Sequence, residues 1–363
     1  MERGRMSIGI LTSGGDCPGL NAAIRGVAKA ASGEYGMRVI GIANGYRGLI
    51  EGEARVLEAA DFSGILTRGG TILGSSREKP FHDEGDQTDA ELGQSKPELI
   101  IENYRRLGLD CLVAIGGNGT QSTAHLLSLA GLNVVGLPKT IDNDIAGTDV
   151  TFGFHSAVDI ATEAIDRLHS TAHSHNRVMV IELMGHKAGW LALFAGVAGG
   201  GDVILIPELP YRRESVAETL RARERAGKPF SIVVVAEGAL SAEEAALDKK
   251  ERRKRRAAMS WPSIGYRIGA EIAGDTGMET RVTVLGYLQR GGTPSPYDRL
   301  LATGFGAQAA RMIAAGEFGK MVAMRNGEIV PVPLSEVADR TRKVPPGNPT
   351  LSTARLVGVG FGD

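Results

Sequence analysis

The segment Pro138-Lys139-Thr140-Ile141-Asp142-Asn143-Asp144 sets two carboxylates at i and i+2, with a lysine three positions before the first. Such a pair can divide labour, one carboxylate coordinating Mg²⁺ while the other accepts a proton from an attacking hydroxyl. Taken alone, Asp-x-Asp serves equally well as a turn former or helix cap. Here it follows two glycine-rich segments, Ser13-Gly14-Gly15-Asp16-Cys17-Pro18-Gly19 and Gly116-Gly117-Asn118-Gly119-Thr120. Glycines let backbone approach a ligand, and a helix start beyond them offers free N–H donors and the positive end of a dipole. The first segment is not a Walker A loop, since no Gly-Lys-Ser/Thr follows, nor a dinucleotide Gly-x-Gly-x-x-Gly. Two anion-accepting loops beside a carboxylate pair suggest chemistry on a polyphosphate. Glu182 and Glu237 could hold sugar hydroxyls, and Arg177, Arg281 and Arg290 offer planar forks for phosphate. The histidines at 169, 173 and 175 do not make a zinc site, because no cysteine or carboxylate completes a ligand set.

The elements that must hold these residues are readable from the pattern. Short β-branched runs at 8–12, 39–42, 111–115, 134–137, 178–183, 203–207, 232–236 and 282–286 alternate with helical stretches, the mark of βαβ units and a mainly parallel α/β fold. Each candidate loop then sits at the carboxyl end of a strand, where open α/β sheets bind ligands. One helix is expected to begin at Asn21 and another to open at Gln121. Ala157, Ile160, Ala161, Ala164, Ile165 and Leu168 keep one apolar face after Phe154, and a domain boundary is expected near 150–155. The run Lys249-Lys250-Glu251-Arg252-Arg253-Lys254-Arg255-Arg256 reads as a solvated helix face.

Composition excludes other classes. Forty-one basic against 42 acidic side chains leave a formal charge of −1, without the basic field that nucleic acid binding needs. Two cysteines make no disulfide framework, which favours a reducing, cytoplasmic setting. The start of the chain carries no signal-peptide pattern, and the longest uncharged apolar stretch, residues 188–201, is too short and glycine-rich to span a bilayer at ~20 residues. No membrane partner is expected.

Taken together, the loops resemble those of the phosphofructokinase family. The residues from Ile10 to Asn21 are similar to its first donor loop, and Gly116 to Thr120 to its second. The residues from Pro138 to Asp144 look like its catalytic loop. Leu285-Gly286-Tyr287-Leu288-Gln289-Arg290-Gly291-Gly292 with Pro296-Tyr297-Asp298-Arg299 resembles its sugar-phosphate motif. The resemblance covers roughly residues 8–320. It implies two Rossmann-like αβα domains with an active site in the cleft between them. A donor domain would comprise 1–153 plus about 289–340, and a sugar-phosphate domain 154–288 plus a tail of about 341–363. The implied reaction is phosphoryl transfer from a nucleotide or from pyrophosphate to the 1-hydroxyl of fructose 6-phosphate, with Mg²⁺ and with ATP as the leading donor.

Under the resemblance Asp142 is the general base. Gly14, Arg77, Gly117, Asn118, Gly119, Thr120 and Lys139 hold the donor, and Asn118 stands at the metal-associated position. Thr140, Asp144, Met184, Gly185, His186, Glu237, Tyr287 and Arg290 hold the sugar phosphate. Arg177 and Arg281 would reach in from a neighbouring subunit of a homodimer or homotetramer. The chain departs from the family at three of these positions, with Asn118 for an aspartate, His186 for an arginine and Tyr287 for a histidine. Gly119 leaves room for a nucleotide, whereas Lys139 is the residue that pyrophosphate users carry. A pyrophosphate-dependent enzyme, possibly with a seven-carbon acceptor, and a non-catalytic sugar-phosphate or nucleotide sensor are the alternatives. Asp142 and Asp144 together speak against the sensor.

Overall fold

A computed structural model describes residues 5–81 and 95–363. Its strands in chain order are β1 (Ser7–Ser13), β2 (Arg38–Ile42), β3 (Ala54–Val56), β4 (Cys111–Gly116), β5 (Val134–Pro138), β6 (Val178–Leu183), β7 (Val203–Leu205), β8 (Ser231–Ala236), β9 (Thr280–Val284), β10 (Lys320–Arg325) and β11 (Glu328–Pro333). The chain divides into two compact units. One comprises Met1–Ile141, Ile145–Ser156 and Arg290–Thr341; the other comprises Asp142–Asp144, Ala157–Gln289 and Arg342–Asp363.

The first unit is built on a sheet of order β11-β10-β5-β4-β1-β2-β3. Every residue of β1, β4 and β5 is buried, as a central parallel strand covered on both faces requires. The register Thr12↔Ile115 and Ser13↔Gly116, with Gly116↔Pro138 on the next strand, brings the three strand ends level. This is what gathers the glycine loops and the Lys139 segment at one edge. The second unit holds a parallel sheet of order β7-β8-β6-β9, in which Leu183↔Ala236 aligns two further strand ends. Its core joins Val178, Val180, Val203, Leu205, Val233 and Val235 to Ile264, Ile268 and Ile272 of the helix Ile264–Thr276.

The α/β pattern and its parallel pairing agree with the sequence reading, with several local corrections. The helix expected to open at Gln121 begins at Asn118, because extended Gly117 acts as its N-cap and accepts the Gln121 N–H at 3.0 Å. The run 203–207 stops as a strand at Leu205, and 282–286 is displaced to Thr280–Val284, with Gly286 opening a 3₁₀ turn instead. β3 and the β10–β11 hairpin went unread. They pair antiparallel at the sheet's two ends, and β11 carries Pro331 and Pro333, which an edge strand tolerates.

The basic run forms the helix Lys249–Ala257 with no buried residue, yet it is more than a solvated face. Arg252 donates to the carbonyls of Glu244 and Leu247 at 3.0 and 2.8 Å, and Arg256 to those of Glu237 and Ala239. The histidines are used structurally: His169 Nε2 bonds the Gly199 carbonyl at 2.7 Å, and His169 and His173 both meet Phe230 edge-on. Among the described residues no helix is long and apolar enough to cross a membrane.

Both cysteines are fully buried. Burial pushes the Cys17 thiol up to about 12 against the opposing pull of the Lys139 ammonium, and it raises Cys111 as well. At pH 8 the reactive thiolate is therefore scarce and inaccessible. Ellman's reagent should find no thiol in the native chain and both after unfolding in guanidinium; release within the mixing time from native protein would contradict this burial.

Candidate active site

In the first unit, β1 delivers the loop from Ser13 to Gly19. Gly14 adopts φ 84°, a left-handed conformation that a Cβ disfavours. Its N–H donates to the Ser76 carbonyl at 2.8 Å, and its own carbonyl accepts Ser75 Oγ at 2.6 Å. Thr12 Oγ1 reaches the Gly74 carbonyl at 2.6 Å, while Asn21 spans Arg68, Gly69 and Ile72. These bonds fix the segment that carries exposed Arg77 beside the loop. Sequence reasoning missed Ser75, Ser76 and the clamp made by Asn21, whose partners lie about fifty positions or more away in the chain.

The helix Asn118–Leu129 starts at extended Gly117 without a side-chain cap. Buried Gln121 donates its amide to the carbonyls of Gly116 and Leu137 at 3.0 and 2.9 Å, stitching the ends of β4 and β5 together. The Lys139 N–H donates to the Gly116 carbonyl at 3.1 Å, and Thr151 Oγ1 donates to that of Thr140 at 2.7 Å. Lys139 is only 3% exposed, and its ammonium donates to the Gly15 carbonyl. A Cβ built on Gly14 would lie 3.7 Å from that ammonium and 4.0 Å from Thr120 Oγ1, so Gly14, Thr120 and Lys139 converge. Arg290 joins them, donating to the Asp16 carbonyl at 3.0 Å. In this structure Arg290 therefore stands at the first glycine loop.

In the second unit, Asp142 is half-buried and Asp144 is buried, with Asn143 between them at φ 52°. At the end of β6, half-buried Met184 leads into Gly185 at φ 138° and His186 at φ 51°. The His186 N–H donates to Glu237 Oε1 at 2.7 Å. Burial, opposed by that hydrogen bond and assisted by the nearby Asp142 charge, holds the Glu237 carboxyl above the usual range. Glu182, the other strand-end glutamate, is committed elsewhere: its Oε2 accepts the Gly265 N–H at 2.6 Å in the first turn of Ile264–Thr276. Arg177 and Arg281 both bind Glu279 Oε1, at 2.8 and 2.5 Å. Tyr287 is 74% exposed. A cavity of about 440 Å³ in the same unit, walled in part by Arg213, Arg255 and Arg267, has those arginines ion-paired to Asp275, Glu243 and Glu244.

Glycine loops with an ammonium on one unit, and a carboxylate loop with a glutamate on the other, are groups of the kind that phosphotransferases of doubly wound α/β fold employ. The family model for phosphofructokinase matches residues 7–313, and the chain belongs to the phosphofructokinase family. It is 68% identical over 357 residues to the ATP-dependent 6-phosphofructokinase of Spirochaeta thermophila, covering 98% of each chain. It is 48% identical over 342 residues to the pyrophosphate–fructose 6-phosphate 1-phosphotransferase of Amycolatopsis methanolica, covering 94% of this chain and 97% of that one. The solved structure of phosphofructokinase from Saccharomyces cerevisiae superposes with a TM-score of 0.77 at 31% identity, over 92% of this chain and 45% of that one.

The two glycine loops make opposite demands on their glycines. Gly14 needs its positive φ, whereas a Cβ on Gly119 would meet nothing within 4 Å, and Gly119 lies in a helix. Gly14→Ala should cost about 1–2 kcal/mol, and Gly119→Ala should leave stability within about 0.5 kcal/mol or raise it slightly. Urea midpoints measure both; equal losses would show that Gly119 is also held by the backbone.

Proposed function

We propose that the chain is an ATP-dependent 6-phosphofructokinase, moving the γ-phosphoryl of ATP to the 1-hydroxyl of fructose 6-phosphate in glycolysis. The open position of Gly119 on an uncapped helix start is the observation that carries the nucleotide reading, because it leaves space where a longer phosphate chain must pass. The 68% identity to a relative named as ATP-dependent supports it. The N–H groups at Gly117, Asn118, Gly119 and Thr120 cradle the donor with Gly14 and Arg77, and the Lys139 ammonium offsets charge on the leaving phosphate. Asp142 accepts the proton of the 1-hydroxyl while Thr140 and Asp144 hold the sugar. Met184, Gly185, His186, Glu237, Tyr287 and Arg290 bind the rest of the acceptor. Arg177 and Arg281 serve a neighbouring subunit of a homodimer or homotetramer.

Among the described residues no group of three or more His, Cys, Asp or Glu could hold a metal on its own. Mg²⁺ would arrive on the donor's phosphates, with the Asn118 amide oxygen as a hard oxygen ligand. When bound, it neutralises charge on the transferred group. The buried thiols suit a reducing, cytoplasmic setting.

Lys139 favours a second reading, pyrophosphate as donor, since an ammonium can neutralise a leaving phosphate without a nucleotide. The steric argument outweighs it: an aspartate at position 119, where this chain has glycine, would set a carboxylate against the α-phosphate and exclude ATP, while a lysine tolerates either leaving group.

Asp142→Asn should lower kcat by about 10²–10⁴ while fructose 6-phosphate still binds. An unchanged kcat removes Asp142 from the reaction. In a coupled assay, turnover with MgATP should exceed that with pyrophosphate, and Gly119→Asp should depress the ATP reaction far more than any pyrophosphate activity. A preference of about tenfold or more for pyrophosphate in kcat/KM would make Lys139 the donor determinant instead.

A further inference from the structure

Asn143, the residue between the two aspartates, is 3% exposed and holds a left-handed φ of 52°. Asparagine tolerates this conformation better than most residues, but the turn still lies above the right-handed and extended basins. Its carbonyl accepts Arg342 Nη2 at 2.8 Å, from 199 positions along the chain. The next carbonyl, that of Asp144, accepts the Arg342 backbone N–H at 2.7 Å. A single residue thus grips two consecutive carbonyls of the turn.

Arg342 is itself fixed. Its guanidinium carbon lies 4.1 Å from the centroid of the Trp190 ring, and Trp190 Nε1 donates to the Arg342 carbonyl at 3.1 Å. Two residues on, the Val344 N–H donates to Glu208 Oε1 at 3.0 Å. The same carboxylate accepts the Gly189 N–H, at the cap of the helix Trp190–Ala198. The frame reaches from a helix start through an aromatic ring to the guanidinium, which is planar and rigid enough to transmit a position rather than merely a charge.

We infer that Arg342 is a positioning residue for the reaction, holding the Asp142-Asn143-Asp144 turn in the one backbone conformation that sets both carboxylates; this rests on the catalytic reading of that loop. Rotating the peptide after Asn143 out of the left-handed basin would re-aim residues on both sides of it. Displacements of about 1 Å at a reacting centre cost on the order of 10²-fold in rate.

Arg342→Ala should lower kcat by about 10–100-fold and leave the KM for MgATP within about twofold, because the donor loops do not depend on this residue. Millimolar guanidinium should restore part of the lost kcat by refilling the place over Trp190, whereas sodium at equal ionic strength should not. Arg342→Lys keeps the backbone N–H and the charge but loses the planar fork, and should fall between wild type and the alanine variant. Asp142→Asn is assayed in parallel. If that variant keeps full kcat, the catalytic reading of the loop fails and the inference fails with it. If Asp142→Asn loses activity while folded Arg342→Ala keeps wild-type kcat, or loses it without guanidinium rescue, the positioning role alone is overturned.

Discussion

A buried ammonium ion governs the first unit. Lys139 is 3% exposed, and an ammonium removed from water must be met by oxygen dipoles or lose its charge. The Gly15 carbonyl is one such oxygen, and it can approach because the loop carries no side chain at 14 or 15. A Cβ at Gly15 would stand 2.7 Å from Arg290 Nη1, so the same absence of bulk admits a second cation to the loop. The demand passes down the backbone: Lys139 is pinned by its N–H to Gly116, and Gly116 by Gln121 to Leu137. Three adjacent strands therefore end in register around one charge. A loop with two cations at its rim attracts phosphate before any ligand contact forms.

The parts legible in the sequence are those dictated by local pattern. Central strands such as β4 and β6 are buried on both faces, so their runs of Val, Ile and Leu announce themselves. Glycines at strand ends mark the loops for the same local reason. What stayed hidden depends on partners far along the chain. Nothing near Gln121 says that its amide will bridge two strand ends, and nothing near Arg342 says that it will face Asn143. Residues 320–333 lack the signal of a central strand because β11 is an edge with prolines, and β10 is parallel to β5 over only two paired positions.

Charged residues of one type were separable only by their surroundings. Glu182 and Glu237 both end strands of the second sheet, yet Glu182 is spent on the N–H of Gly265 while Glu237, partly open, faces the charge of Asp142. The basic helix gives the same lesson. Seven cations in eight residues look alike in sequence. In the fold, Arg252 and Arg256 tie carbonyls of neighbouring segments, and Arg256 does so at Glu237 itself. Burial pulls Arg256 below the usual arginine range, with Glu244 opposing.

The departure at His186 is best understood from the backbone. A Cβ on Gly238 would stand 2.3 Å from the His186 carbonyl, and one on Gly185 would stand 2.7 Å from that of Ala188. Gly238 thus permits the segments after β6 and β8 to touch, while Gly185 permits the tight turn to Ala188, and the first contact delivers the His186 N–H to Glu237 at 2.7 Å. What the turn asks of residue 186 is that N–H and a φ of 51°, a conformation in which histidine is among the enriched residue types. The exposed imidazole is not part of that requirement. A side chain there can differ from the arginine that the resemblance implies while the carboxylate it helps to place stays where it is, because the placing is done by backbone.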